Sequence, residues 1–507
     1  MLWILCILAC LEPARSLDNP ILDPRDFRFH IDYFNSMEPE HVVNFIPNEK
    51  SWAWLEKNIP LFACPDTGFQ EIYFFRWWTL RKHIKHTPDG FVFTEFITPV
   101  KHAGVYNTIS CALGHHIMEG RWLENQNYLK EYITFWLRGH NAGSQPHFHN
   151  FSNWLAFSMV QKYLIDGDKE FMLKFLPDLI RDFEKWEQER LLSNGMFWQH
   201  DVKDGMEESI SGSRKHKNAR PTINSYMYAN ALAISEMAKL AGKDDLSKRF
   251  SAKAQTIKNL VQTHLWDEKA QFFKVRFENG QLSDAREEIG FIPWYFNLPD
   301  SDFSAAWQQL LDPEGFSAPF GITTAERRHP QFRSHGVGTC EWDGAVWPFA
   351  TSQTLTGLAN LLNNYHQTYI SRKDYFDALT TYARAHHKNG KPYIGEYQDE
   401  TTGEWLKGDN PRSRYYNHST FCDLVITGLV GLRPRPDGIL EVNPLLPQNS
   451  WDWFALDRVN YRGKLVSIVW DKTGKKFGMD KGLSIYVDGI TVAQSPELAK
   501  LSVPLFD

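Results

Sequence analysis

The chain has 507 residues, 42% of them hydrophobic and 23% charged, which excludes disorder as its main state and allows about three domains. Lys and Arg total 55 against 61 Asp and Glu, a net charge of −6 with no basic block, so neither a nucleic-acid footprint nor a polybasic membrane face is present. Aromatic residues reach 14%, with 19 Trp, which suits either a large apolar interior or a polar cleft walled by flat rings.

Residues 2–11 (LWILCILACL) are apolar but too few to span a bilayer. Ala14-Arg15-Ser16 follows as a small-x-small cleavage pattern, so residues 1–16 read as a secretory signal and the protein as exported, periplasmic or secreted. Ile7-Leu8-Ala9-Cys10 offers a loose lipoprotein box as the less favoured alternative. No later segment approaches 18 consecutive apolar residues, so no membrane span is expected. Beyond the leader, Cys64, Cys111, Cys340 and Cys422 lie far apart with no CxxC pair, which excludes a zinc-finger or thioredoxin pattern and leaves buried thiols.

Residues 17–105 contain several Pro and short aromatic runs such as Ile72-Tyr73-Phe74-Phe75, while FVFTEF (91–96) alternates like a strand. They read as a small N-terminal cap with short strands. Across 106–433 the apolar period becomes helical, with candidate helices at 107–123, 126–138, 151–165, 169–192, 224–241, 244–265, 302–311, 345–364, 372–387 and 419–431. Helix hairpins with long polar loops suit a closed barrel of helix pairs, an (α/α)6 toroid, better than a short-loop bundle. The fold class is therefore mainly α, and residues 434–507 add a β-rich tail, carried by 459–471 and 482–494.

Phosphate-cradling, dinucleotide-binding, zincin and serine-hydrolase motifs are absent. The pairs His115-His116 and His147-x-His149 have no acidic partner at ligand spacing, so no metal and no cofactor is expected. Three acidic loops remain, each mixed with aromatic residues at the mouth of a helix: 194–213, 340–348 and 395–410. Taken singly each reads as a solvated turn; on a ring of helices they would converge at one end. Two opposed carboxyl groups in an aromatic cleft are what glycosidic bond hydrolysis requires.

Several of these segments, in order, resemble the (α/α)6-barrel glycoside hydrolases grouped with mannosylglycerate hydrolase and processing α-glucosidase I, and more distantly trehalase. The similar segments are Ser144-Gln145-Pro146, DGMEESISGS with RPTINSYMYANALAISEMAKLAG (220–242), WDGAVWP (342–348), and GEYQDETTG (395–403) with YNHSTFCDLVITGLVGL (416–432). The resemblance implies Glu207 as general acid, Glu396 as general base and inversion at the anomeric carbon. Two departures stand out: Glu207 occupies a position where the family has Asp, with Glu208 and Asp204 as neighbouring alternatives, and Asp343 stands where the family has Arg. Trp198, Arg220, Asn224, Trp342, Asp343, Trp347, Asn417 and His418 are candidate substrate contacts, as is Arg76 within FFRWWTLRKH.

The expected activity is exo-acting release of a terminal, α-linked sugar from an oligosaccharide or glycoconjugate, by a monomer or small homo-oligomer that binds neither nucleic acid nor membrane. Rhamnose and arabinofuranose are rival sugars, since similar barrels host several specificities. A polysaccharide lyase or epimerase would leave the two carboxylate loops unexplained, and a non-catalytic sugar-binding protein would keep only the aromatic cleft.

Overall fold

The computed structural model describes residues 20–334 and 340–505. The expected leader (1–16), including Cys10, lies outside the described residues.

Helices that are apolar on nearly every side must be covered on every side. Six segments have this character: Leu113–Gly120, Leu155–Asp166, Pro221–Leu240, 288–295, Pro348–Asn364 and 421–429. Each packs on the next and the last packs back on the first, which closes a ring. Outside it lie amphipathic helices that bury one face only: Asn127–Arg138, Leu176–Arg190, Asp244–His264, 301–311 and Arg372–Ala385. The outer layer is completed by Thr67–His83, which packs on both Arg372–Ala385 and the 421–429 segment. The fold is the expected toroid of helix pairs.

Thr67–His83 contains the aromatic run that the sequence presents as irregular. It shows no apolar stripe because it is covered twice, by the ring on one side and by Arg28–Ser36 and Ser51–Asn58 on the other. Its first turn is capped by Asp66, whose carboxylate accepts from the Phe69 N–H. The strand read in FVFTEF is present as Gly90–Phe93, paired with Ile84–Thr87.

The C-terminal β region forms two sheets. Trp453–Tyr461, Lys464–Asp471, Gly482–Val487 and Ile490–Ser495 make an antiparallel meander, and Leu61–Ala63 adds to its first strand, Leu61 opposite Asp457. Leu432–Arg433, Ile439–Val442 and Leu501–Pro504 form the second sheet. Among the described residues no helix is long and apolar enough to cross a membrane, and Cys64, Cys111, Cys340 and Cys422 are free thiols.

Connection lengths decide where function can sit. Inner helices hand over to outer ones through short links such as 121–126, 241–243 and 365–371. Outer helices return through long segments at 84–112, 191–220, 312–347 and 386–420. The long segments therefore gather at the N-terminal ends of the inner helices, where unpaired N–H groups and the helix dipoles favour negative charge.

Candidate active site

At that end of the ring lies a cavity of about 310 Å3. Its wall takes side chains from four of the long segments: Glu95 from the first, Glu207 from the second, Cys340, Trp342 and Trp347 from the third, and Glu396, Arg412, Tyr416 and His418 from the fourth.

Glu207 follows the short helix Asp201–Asp204, which stops at Gly205 in the left-handed region (φ +71°). A methyl group at Gly205 would collide with the Cys111 sulfur, so the turn needs a glycine on both counts. Below the turn, Asp204 is fully buried and accepts from Arg220 Nε at 2.6 Å and from the Thr222 hydroxyl. Glu208, at φ +64°, turns away to pair with Arg214 at 2.7 Å. Of the three acids considered for this loop, Glu207 is the one on the cavity wall. Burial pushes its carboxyl up from 4.5 to about 7; the N–H of its own backbone opposes the rise and the nearby Glu396 adds to it.

Glu396 is buried, and its Oε1 accepts from Arg412 Nη2 at 2.6 Å. Its backbone N–H donates to the Ser413 hydroxyl at 2.9 Å, which ties the segment bearing Glu396 to the one bearing Arg412. Its Oε2 has no partner among the described residues. The guanidinium thus meets one oxygen of the carboxylate and leaves the other open. Burial works against the charge of Arg412, yet Glu396 holds its pKa above the ordinary arginine value.

The aromatic wall is a stack. Trp342 and Trp347 lie 4.2 Å apart at 21°, and Tyr397 continues behind Trp347 at 4.6 Å and 19°. Trp347 Nε1 donates to the Glu341 carbonyl at 3.2 Å, fixing the indole. His418 sits against Tyr416, 4.3 Å between ring centres, and is held neutral because burial drives its pKa well below the usual imidazole value. Its Nε2 is unpartnered among the described residues, which makes it an available acceptor.

Glu207, Glu396, Trp342, Trp347 and His418 are thus brought together, and the other sequence candidates frame them from outside the cavity wall. Arg76 is wholly buried in Thr67–His83, where it donates to the Thr79 hydroxyl at 2.6 Å and the Ser419 carbonyl at 3.3 Å. The aromatic residues around it belong to the core. Trp198 packs between Arg190 and Lys217. Arg220 belongs to Asp204, and Asn224 clamps Phe197 through both its N–H and carbonyl. Asp343 is buried, and its backbone carbonyl accepts from the Arg333 N–H. Asn417 donates to the Thr94 and Glu95 carbonyls.

Among the polar cavity residues that were not singled out from the sequence are Glu95, Arg412, Tyr416 and Cys340. Glu95 is 3% exposed, and burial raises its carboxyl to about 8 despite a hydrogen bond from the Tyr416 hydroxyl. Burial, with Glu207 and Glu396 nearby, pushes the Cys340 thiol up to about 12. The histidine pairs are engaged elsewhere: His149 contacts Asp182 and Glu189, and His116 contacts Tyr132 and the Asn417 carbonyl.

A closed ring of helix hairpins with acidic groups gathered in an aromatic cavity at the N-terminal ends of its inner helices defines a six-hairpin toroid of the glycoside hydrolase kind. Residues 105–419 match the profile of the "Mannosylglycerate hydrolase MGH1-like glycoside hydrolase domain", and the chain belongs to that family. Residues 432–493 match the "Glycosyl hydrolase family 65, C-terminal domain". Among solved structures, a protein named "Sialidase" is 51% identical with a TM-score of 0.94, over 95% of this chain and 44% of that one. The GH63 mannosylglycerate hydrolase from Thermus thermophilus in complex with glucose is 13% identical (TM-score 0.50), over 70% of this chain and 99% of that one. The GH78 family rhamnosidase of Bacillus sp. GL1 is 12% identical (TM-score 0.56), over 81% of this chain and 40% of that one. The chain thus spans less than half the length of the sialidase-named protein. The last two likenesses concern the fold alone.

Proposed function

We propose that the protein is an exo-acting, inverting glycoside hydrolase that removes a terminal α-linked sugar from an oligosaccharide or glycoconjugate. The observation that carries this reading is that Glu207 and Glu396 reach one small aromatic cavity from different loops with contrasting surroundings. Glu207 is desolvated and retains its proton near neutral pH, as a general acid must. Glu396 stands against a guanidinium with one oxygen free, as a base that accepts a proton from water must.

In the proposed step, Glu207 donates its proton to the departing glycosidic oxygen as the C–O bond breaks. Water attacks the anomeric carbon from the opposite face and gives its proton to Glu396. Water thus supplies the hydroxyl of the released sugar; one proton has passed from Glu207 to the departing alcohol and one from water to Glu396, and exchange with solvent returns the pair to its starting state. Trp342, at the cavity end of the stack, offers the sugar ring an aromatic surface, Trp347 is covered on both faces and lends the wall its edge, and the small cavity favours a single terminal residue.

The name of the sialidase-named relative belongs to a chain more than twice as long, and this cavity gives it little support. An anionic sugar would meet the Glu396 carboxylate, and the one arginine on the wall is already paired to it. A neutral sugar such as glucose, mannose or rhamnose fits that electrostatics better.

Proton NMR of the wild-type protein with α-linked oligosaccharides tests the reading. A monosaccharide appearing first as the β anomer supports separate acid and base roles. First appearance as the α anomer demands a nucleophile and removes the assignment of Glu396.

A further inference from the structure

The toroid's third cavity carboxyl, Glu95, has no part in the acid–base pair, yet it is the least exposed to solvent after Glu396. It follows the hairpin Ile84–Thr87/Gly90–Phe93, and its backbone is fixed from several sides. Asn417 donates its backbone N–H to the Glu95 carbonyl at 3.0 Å and its side-chain amide to the Thr94 carbonyl at 3.1 Å. The Thr94 hydroxyl is in turn 3.0 Å from His83 Nδ1. The side chain faces the cavity beside Tyr416, whose hydroxyl hydrogen-bonds it, while Oε2 has no partner among the described residues.

An unsatisfied buried carboxyl oxygen is costly, because it has lost its hydrogen bonds to water and gained none in return. Cavity-facing placement supplies the missing partner when a ligand enters. Three carboxyl groups around one arginine cannot all carry charge cheaply, and the most buried one without a guanidinium stays neutral. A neutral carboxylic acid has an O–H to donate, which an ionised one does not.

We propose that Glu95 is a substrate-contacting residue that sets specificity, its carboxylic acid hydrogen-bonding one ring hydroxyl of the sugar held in the cavity. The assignment rests on the glycosidase reading of that cavity and deepens it. Glu95 contacts a hydroxyl away from the scissile bond, so it selects among neutral sugars that differ at that carbon. A polar group built to meet a hydroxyl rejects an analogue that lacks it, because the group is then left buried and unpaired.

The test titrates D-glucose, D-mannose, L-rhamnose and methyl L-arabinofuranoside, with their monodeoxy derivatives, into the full-length protein and follows its tryptophan fluorescence. For the sugar that binds wild type, one monodeoxy derivative is expected to bind at least about tenfold more weakly. In Glu95→Leu or Glu95→Ala, the parent sugar should weaken by a similar factor while that derivative is unchanged, so the discrimination disappears. Glu95→Gln, neutral and still a donor, should retain the discrimination. Either apolar variant suffices if the other does not fold. Equal weakening of parent and derivative, or unaltered discrimination, would overturn the role of Glu95 and leave the glycosidase reading standing. Absence of both binding and hydrolysis by wild type across these sugars would remove the glycosidase reading, and this inference with it.

Discussion

Replacing Glu207 by Gln should separate the chemistry of the leaving group from that of water attack. At a pKa of about 7, half of the Glu207 carboxyls carry a proton at pH 7; at the ordinary 4.5 roughly one in 300 would. The cavity therefore raises the population of competent acid by roughly 150-fold at neutral pH. The protonated form is nearly full below about pH 6 and falls towards tenfold per unit above about pH 8, so kcat/KM should decline on the alkaline side with a midpoint near 7. Glu207→Gln removes the proton donor and should cost about 10²–10⁴ in kcat on substrates whose leaving group is a sugar alkoxide. On activated aryl glycosides, whose phenolate leaves unaided, the loss should be under about tenfold and the alkaline decline should flatten. Steady-state kinetics of both substrate types between about pH 5 and 9 measures this. Equal losses on the two, or an alkaline midpoint that survives the substitution, would refute the assignment of Glu207 as acid.

Two further outcomes follow from the packing beneath that loop. Arg220→Met strands the buried Asp204 with only the Thr222 hydroxyl, which should cost about 3–5 kcal/mol and lower the temperature of thermal unfolding; adding Asp204→Asn should restore part of it. A substitution with no thermal effect would show that the ion pair is not formed in solution. Gly205→Ala should lower both stability and kcat, since it meets the Cys111 sulfur and keeps a left-handed φ. Adding Cys111→Ala should remove the collision and leave a residual penalty of about 1 kcal/mol from the backbone, read by calorimetry.

The helical ring was readable where helices present one apolar stripe, as in Leu176–Arg190 and Asp244–His264, whose buried residues recur at helical spacing. Two members of the toroid were not. Thr67–His83 is covered on all sides and so has no polar face to mark the period, and 288–295 is two short turns interrupted by Pro293. Glu207, Glu396, Trp342, Trp347 and His418 could be picked out because they sit in motifs. Arg412 and Glu95 had no such signal. Arg412 reaches Glu396 across a loop, and the alternation of FVFTEF places Glu95 next to apolar residues without saying that a cavity lies behind it. Arg220 illustrates the opposite error of inference: an arginine beside an acidic loop reads as a ligand-binding group, and its guanidinium instead neutralises the acid three residues before Glu207.

Leu61–Ala63 pairs with Trp453–Tyr461, and the Leu22 N–H donates to Asp457 Oδ2, so contacts bridge some four hundred residues of chain. The ring itself closes only when 421–429 docks on both Thr67–His83 and Leu113–Gly120. During synthesis at about 5–20 residues per second, the earlier inner helices emerge tens of seconds before their last neighbour. Until then they expose surfaces that are apolar all round. Slow folding and early aggregation are the expected behaviour of such high-contact-order topology. A chaperone that holds the open arc of hairpins would act during that interval, and its need should vanish once residue 461 has cleared the ribosome.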